Sequence, residues 1–416
     1  MPKRAVAIIV DPYSSGAYYA HAFNKANVDV VAVQTANKAP DVYAASYKPE
    51  EYKQIFIYEG SLKGLASQIK QLDPICIVAG CESGVELADQ LCCLLLPNLS
   101  NDPGKALVRR HKGRMMEAVA DAGITTAKQL CTEDEEKVAT WLVDEGLNNS
   151  NFVIKPPKSA STDSIYKVNA ADNNWQGIFR SLLNVHNRLG ILNDQLIVQE
   201  FMHGTEYVVD TMSYEGEHTI SNICRYQKIS NDRHIAMYDY MEWLSSDIEL
   251  YQELQRYAYS VLNALGINFG PAHIEIMHTI NGLRLIEVGA RAHGGGHPCY
   301  NMVATGDSQL DRTVRYFTKQ RPISNSYDLL INMMVVFFVC MKEGVINNLE
   351  HTVEKIKSLS SYHHVSIQVK NGDSVAPTKD LFATLDLGFV VLAHQQKEQL
   401  LQDYKAIRKI EQELVV

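Results

Sequence analysis

The chain has 416 residues, more than one ordinary hydrophobic core organises, so two to four structural units are expected. Hydrophobic residues at 46% and charged residues at 21% exclude a disordered chain. A net charge of -9 excludes the basic surface that general nucleic-acid binding needs, so no nucleic-acid partner is expected. The apolar run from Ala5 to Val10 is too short for a secretory leader, and Ile331 to Met341 covers about half a membrane span. Eight cysteines without a Cys-x-x-Cys pair point to reduced thiols rather than a disulfide framework or a zinc ribbon. The expectation is a cytoplasmic enzyme with no membrane partner.

In chain order, the β-rich runs Ala5 to Val10, Val28 to Val33, Gln54 to Tyr58 and Ile75 to Ala79 alternate with helical stretches. They predict a parallel sheet with crossover helices. A dinucleotide-binding domain is the rival, but its G-x-G-x-x-G turn is replaced by Asp11-Pro12-Tyr13-Ser14-Ser15-Gly16. Phe152 to Lys155 reads as a strand stopped by two prolines, and Leu196 to Gln199 as another leading into Glu200-Phe201-Met202. Tyr207 to Met212 and Thr219 to Cys224 flank a turn and predict an antiparallel pair. Ser246-Asp247-Ile248-Glu249 reads as a capping box, opening a helix that runs to about Leu265 and stops at Gly266. A last α/β segment follows Ser324. The fold class is α/β, with an α+β core.

The segment from Ala272 to Arg291 carries the most chemistry. It reads as two strands joined around Asn281-Gly282, and loop length decides where two glutamates fall. A two-residue Asn-Gly turn sets Glu275 opposite Val288 and puts Glu275 and Glu287 on opposite faces. A three-residue loop, Ile280-Asn281-Gly282, sets them directly opposite each other. Both are stereochemically good, and only the second makes a site. Like charges across a ladder repel unless a cation lies between them, and Mg2+ favours such carboxylates together with phosphate oxygens. Two solvated glutamates on an exposed face are the plain alternative. The adjoining Arg291 and Gly294-Gly295-Gly296 favour the site.

A nucleotide γ-phosphate needs further cations. Lys155 ends an apolar strand, where its stem can be buried and its head aimed at a ligand. Lys112 lies in the basic run Arg109-Arg110-His111-Lys112-Gly113-Arg114, which otherwise reads as solvated surface. Lys158-Ser159-Ala160-Ser161-Thr162-Asp163-Ser164 is a run of small polar residues suited to folding over phosphates as a lid. A Walker loop is excluded, because Gly104-Lys105 is followed by Ala106.

These pieces in this order resemble the ATP-grasp superfamily, and within it the L-amino-acid ligases that make dipeptides. The likeness is most specific in Gly270-Pro-Ala-His-Ile-Glu275 and Ile286-Glu-Val-Gly-Ala-Arg291, with Gly80-Cys-Glu-Ser-Gly84 in the preceding domain. It implies four parts: a pre-ATP-grasp α/β domain over 1–104, entry helices and lid over 105–205, a core over 206–324 and a C-terminal α/β subdomain over 325–416. It implies that Lys112, Lys155 and Ser159 meet the ATP phosphates, with Lys228 as a further basic residue near them. Glu200, Phe201 and Met202 would form the adenine hinge and Glu206 would bind the ribose. Glu275 and Glu287 would hold Mg2+, with Mn2+ as a substitute, and Arg291 would hold the acyl phosphate and oxyanion. By resemblance the residues just after Arg291, here His293, Gly294 and Gly295, line the pocket for small-molecule amino-acid substrates, and a homo-oligomer is allowed. By position alone, Glu82 stands either to meet a substrate amino group or to solvate a helix N-terminus, and His234, His273, His293 and His297 are candidates for a base, with His234 also a candidate substrate contact and an ordinary structural histidine the plain alternative for each.

Two departures stand out. Gly289 takes the place of the asparagine that many ATP-grasp enzymes use as a third metal ligand, and the lid lacks the usual glycines. The implied reaction is ATP-dependent amide formation between two amino acids, giving a dipeptide, ADP and phosphate. Alternatives are an ATP-grasp ligase or carboxylase acting on another carboxylate, and a nucleotide-binding module without catalysis. A hydrolase is disfavoured, since Gly80-Cys-Glu-Ser-Gly84 lacks the G-x-S-x-G spacing.

Overall fold

Val6–Val10, Asp29–Gln34, Gln54–Ile57 and Pro74–Ala79 are parallel strands, ordered in space with the third and second strands to one side of the first and the fourth to the other. The computed structural model describes residues 4–159, 163–169, 174–229, 237–320, 323–378 and 381–414. The first strand alternates its faces. Ala7 and Ile9 meet Phe23, Leu310 and Val314, while Val6, Ile8 and Val10 meet Leu65, Ile69, Ala88 and Leu91. Burial on both faces explains why the first, second and fourth strands read as continuous apolar runs, while the third, at the sheet edge, is half exposed. The strand order reverses between the first and fourth strands, where α/β sheets open a crevice at their carboxyl ends. That crevice is bounded by Asp11 and by Gly80 to Glu82. It is tight: a Cβ on Gly80 would come within 2.4 Å of the Asp11 carbonyl oxygen.

A four-stranded antiparallel sheet follows, ordered Gln129–Thr132, Leu196–Glu200, Phe152–Lys155, Tyr166–Val168. The largest sheet has eight antiparallel strands. Their order is Gly282–Gly289, Gly270–Thr279, Gly204–Tyr214, Glu217–Ile229, Met237–Leu244, Asn332–Phe337, Gly388–His394 and Tyr362–Ile367. The last three come from beyond residue 324, so the sheet is continuous from the central region into the C-terminal segment. Helix Tyr251–Ala264 covers it through Leu254, Ala258, Val261 and Leu262, together with Met115 and Val119 of helix Lys112–Asp121.

Two expectations need correction. The helix expected from Ser246 opens at Tyr251, and its N-cap Leu250 makes no side-chain cap; residues 246–250 lie in turns and a bend. The Ser-Asp-Ile-Glu pattern therefore has no helical N–H groups to cap. Its end is as expected, with Gly266 at φ +62°. The Ala272–Arg291 hairpin closes on Thr279 opposite Gly282, a two-residue Ile280-Asn281 loop rather than three residues. The register then shifts between Glu275 and Ile276: Ile276 faces Leu285 and Glu275 faces Glu287, leaving Ile286 as the extra residue. A β-bulge, not the loop, brings the two glutamates opposite each other.

Candidate active site

The glutamates belong to an ordered array on one sheet face. Glu287 is opposite Glu275, Glu275 opposite Val208, and Val208 opposite Cys224, so these side chains form a row. One row further on stand His273, Asp210 and Asn222; on the other side stand Met277, Glu206 and Tyr226. Apolar residues of the alternate positions, Ile274, Ile276, Leu285 and Val209, are buried against the helices beneath. The pleat thus separates the core from the polar array.

Each carboxylate has a cation. The Glu287 carboxylate lies 3.1 Å from Lys112 Nζ, and Glu206 Oε2 accepts from Lys228 Nζ at 2.6 Å. Glu275 Oε1 lies 3.1 Å from His273 Nε2. Burial raises the Glu275 carboxyl, but His273 outweighs it and holds Glu275 down at about 2. Burial also raises Glu206, against the pull of Lys228. Lys155 donates to Gln199 Oε1 at 2.9 Å and is pushed down to about 8, chiefly by burial. Lys112 also donates to the Ser159 carbonyl at 2.7 Å, tying the start of the Lys158–Ser164 run to the acids.

Beside this array, at the crevice of the first sheet, Arg291 Nε donates to Glu82 Oε2 at 2.9 Å, and Glu82 Oε1 lies 3.3 Å from Arg110 Nη1. Burial raises the Glu82 carboxyl, yet the flanking arginines leave it below its ordinary value. Arg291 is likewise held charged, Glu82 overcoming the effect of burial.

The structure therefore brings together Lys112, Lys155, Ser159, Glu206, Lys228, Glu275, Glu287, Arg291 and Glu82. Glu200 ends the strand next to the one that carries Lys155, and Phe201 and Met202 follow it; Glu200 Oε1 accepts from the Lys128 amide at 2.9 Å and Phe201 N donates to the Asn151 carbonyl. His293 is turned inward, its Nδ1 2.9 Å from Asp210 Oδ2 and its Nε2 3.1 Å from the Tyr226 hydroxyl. Gly295 N donates to Ser14 Oγ at 2.9 Å, pinning the glycine run to the turn after the first strand, and Gly294 lies against the same side chain. His234 and residues 160–162 of the expected lid lie outside the described residues. Asp210 and Arg110 were not singled out from sequence. The basic run containing Arg110 carried only a signal of charge, and charge in sequence reads as solvated surface.

The array fits a nucleotide and a divalent cation. Among the described residues, Glu206 Oε1 and Gln199 Nε2 are buried polar atoms with no hydrogen-bond partner. Glu275 and Glu287 together offer the hard oxygen donors that such a cation takes.

The sheet-borne acid row and the buried lysines lie in or beside residues 148–299, the segment that matches the model of the ATP-grasp domain. The chain is 28% identical over 312 residues to dapdiamide A synthase of Enterobacter agglomerans, covering 74% of this chain and 72% of that one. Its fold is similar to the L-amino acid ligase of Bacillus licheniformis, with a TM-score of 0.75 at 14% identity over 100% of this chain and 99% of that one. It is also similar in fold to the carboxyaminoimidazole ribonucleotide synthase of Aspergillus clavatus complexed with ATP. There the TM-score is 0.71 at 13% identity over 100% of both chains.

Proposed function

We propose that this protein is an ATP-dependent carboxylate–amine ligase that joins two L-amino acids through an acyl phosphate, giving a dipeptide, ADP and phosphate. The observation that carries the reading is the Glu275–Glu287 pair flanked by Lys112 on one side and by the Arg291–Glu82 pair near the crevice. The relative named as a dapdiamide synthase and the fold shared with an L-amino acid ligase support amino acids as substrates.

In the first step a substrate carboxylate oxygen attacks the γ-phosphorus and ADP leaves. Lys112 and Lys155 spread the charge of the transferring group. In the second step the amine attacks the acyl carbon, loses a proton and expels phosphate, while Arg291 stabilises the oxyanion. Glu206 would accept from the ribose hydroxyls through its unpartnered oxygen, and the segment from Glu200 to Met202 would read the adenine. Glu275 and Glu287 would hold Mg2+, or Mn2+ in its place, which when bound offsets phosphate charge.

The test is phosphate release with ATP and Mg2+ across pairs of amino acids without bicarbonate, followed by mass analysis. The expected product weighs one water less than the sum of the pair. Turnover that requires bicarbonate and yields a carboxylated product overturns the reading in favour of a carboxylase.

A further inference from the structure

Arg109 and Arg110 are consecutive, and both are buried, at 1% and 3% exposure. Their surroundings differ. Arg109 donates through Nε to Asp89 at 2.8 Å and through Nη1 to the Leu265 carbonyl at 3.1 Å. Those bonds account for it as a structural tie between the first domain and the helix that ends at Ala264. Arg110 has no such account. Its nearest acid is Glu82, 3.3 Å from Nη1 but not aligned for a hydrogen bond. Among the described residues, neither Nη1 nor Nη2 has a hydrogen-bond partner, although both are buried.

Leaving a charged donor unmatched inside a protein costs more than leaving a neutral one. The backbone nevertheless holds Arg110 in place. Its own amide donates to Leu107 O at 3.3 Å, the next amide donates to the same oxygen at 3.0 Å, and Lys112 N donates to Pro157 O at 2.9 Å. The local charge is also unbalanced. Glu82 alone lies between two guanidinium groups, its Oε2 taken by Arg291, and Lys112 is already paired with Glu287. A fixed cation with two open donors, in an excess of positive charge beside the reaction centre, is built for an anion.

We propose that Arg110 binds the carboxylate that the amine substrate retains, and so selects amino acids over plain amines as the nucleophile. The inference rests on the amide-forming reading above. An activated carboxylate surrenders its charge and needs one oxygen free to attack phosphorus, which a two-pronged guanidinium clamp opposes. A retained carboxylate stays anionic through both steps, and the planar fork of an arginine matches both its oxygens. Arg291 serves the reacting carbon, and Glu82 stands between it and Arg110.

The experiment compares each accepted amine substrate with its carboxamide, in the wild type and in Arg110→Lys and Arg110→Gln. Loss of a charge-assisted contact of this kind is worth about tenfold or more. The expected result is a rise of at least that size in KM for the amino acid, with little change for the carboxamide, so that discrimination collapses. The Lys variant, which keeps the charge but not the fork, recovers part of it. ATP affinity and the melting midpoint serve as folding controls. Equal losses for both nucleophiles, or a rise in KM confined to the activated acid, overturn the proposal. If the wild type ligates no amino-acid pair, the amide-forming reading fails by itself. Calorimetry of amino acid against carboxamide then decides Arg110 separately: wild-type preference for the carboxylate form that Arg110→Gln abolishes supports it, and no preference overturns it.

Discussion

Two neighbouring rows of one sheet face, about 6.6 Å apart along the strand, carry similar residues and differ in kind. In the Asp210 row every group answers another. The Asp210 carboxylate accepts from Asn222 Nδ2 at 2.8 Å and bonds His273 and His293 through their Nδ1 atoms, each at 2.9 Å. The His293 and His297 rings stack 3.7 Å apart, and Trp243 lies over His297. Asp210, His293 and His297 even bring ligand atoms within 4.8 Å of one another, as a metal site does. In the glutamate row and beside it, capacity is left over: Glu206 Oε1, Gln199 Nε2 and the Arg110 terminal nitrogens have no hydrogen-bond partner among the described residues. Between these two rows the number of charges does not mark the difference; the unused hydrogen-bonding capacity does.

The strongest way to break the comparison is to remove either member of the open row. Glu275→Ala and Glu287→Ala should each reduce amino-acid-dependent phosphate release below detection, while circular dichroism shows each variant still folded at the assay temperature. Turnover within tenfold of wild type would show that the row is not the reaction centre. Asp210→Asn should give the opposite signature. Breaking a buried charge pair commonly costs about 3–5 kcal/mol, so the loss should appear in urea unfolding, with ATP binding by the remaining folded protein intact. An unchanged unfolding midpoint would sink the structural reading of that row.

Arg291→Ala comes next. Removing one preorganised oxyanion donor costs about 2.7–4 kcal/mol, so kcat should fall by roughly two to three orders of magnitude at unchanged ATP affinity. Near-normal kcat would remove Arg291 from the mechanism. The smallest effect is on pH. Burial opposes the charge on His273, but Asp210 and Glu275 raise it to about 9; burial and the nearby His273 lower His293 to about 4. The stabilisation from His273 is complete below its unfolded value of 6.5 and fades as pH rises through 9. That from His293 is complete above 6.5 and fades as pH falls towards 4. Asp210 raises His293 rather than lowering it, so what Asp210→Asn removes is the His273 stabilisation: the difference between wild type and variant should be largest below pH 6.5 and shrink as pH rises through 9. A difference that stays flat from pH 5 to 9 would contradict the His273 shift.

How much of this was legible in the sequence depended on the range of the interactions. The first, second and fourth strands were readable nearly to the residue, because burial on both faces leaves an uninterrupted apolar run; the edge strand Gln54–Ile57 was readable from its β-rich residues alone. Glu275 opposite Glu287 was also readable, but through the wrong device. A bulge at Ile286 is invisible to an argument that counts loop residues, and it undoes the shift that a shorter loop introduces. The false capping box shows the same weakness. Ser246 to Glu249 has the right residue types, but nothing local says that the chain there is still turning away from the strand ending at Leu244. Asp210 and Arg110 were not legible at all. The meaning of Asp210 comes from His273 and His293, 63 and 83 residues away, and that of Arg110 from Glu82 and from donors that nothing answers.

The continuity of the large sheet past residue 324 bears on how the molecule can be divided. Strand Met237–Leu244 is paired on one side by Glu217–Ile229 and on the other by Asn332–Phe337. A fragment ending near 324 would leave that second side as a bare row of amides and carbonyls, with Met241 and Trp243 stripped of their cover from Val335 and Phe337. Such an edge recruits strands from other molecules. The C-terminal segment is therefore the far half of a shared wall, and cutting it away would turn a folded enzyme into a template for its own aggregation.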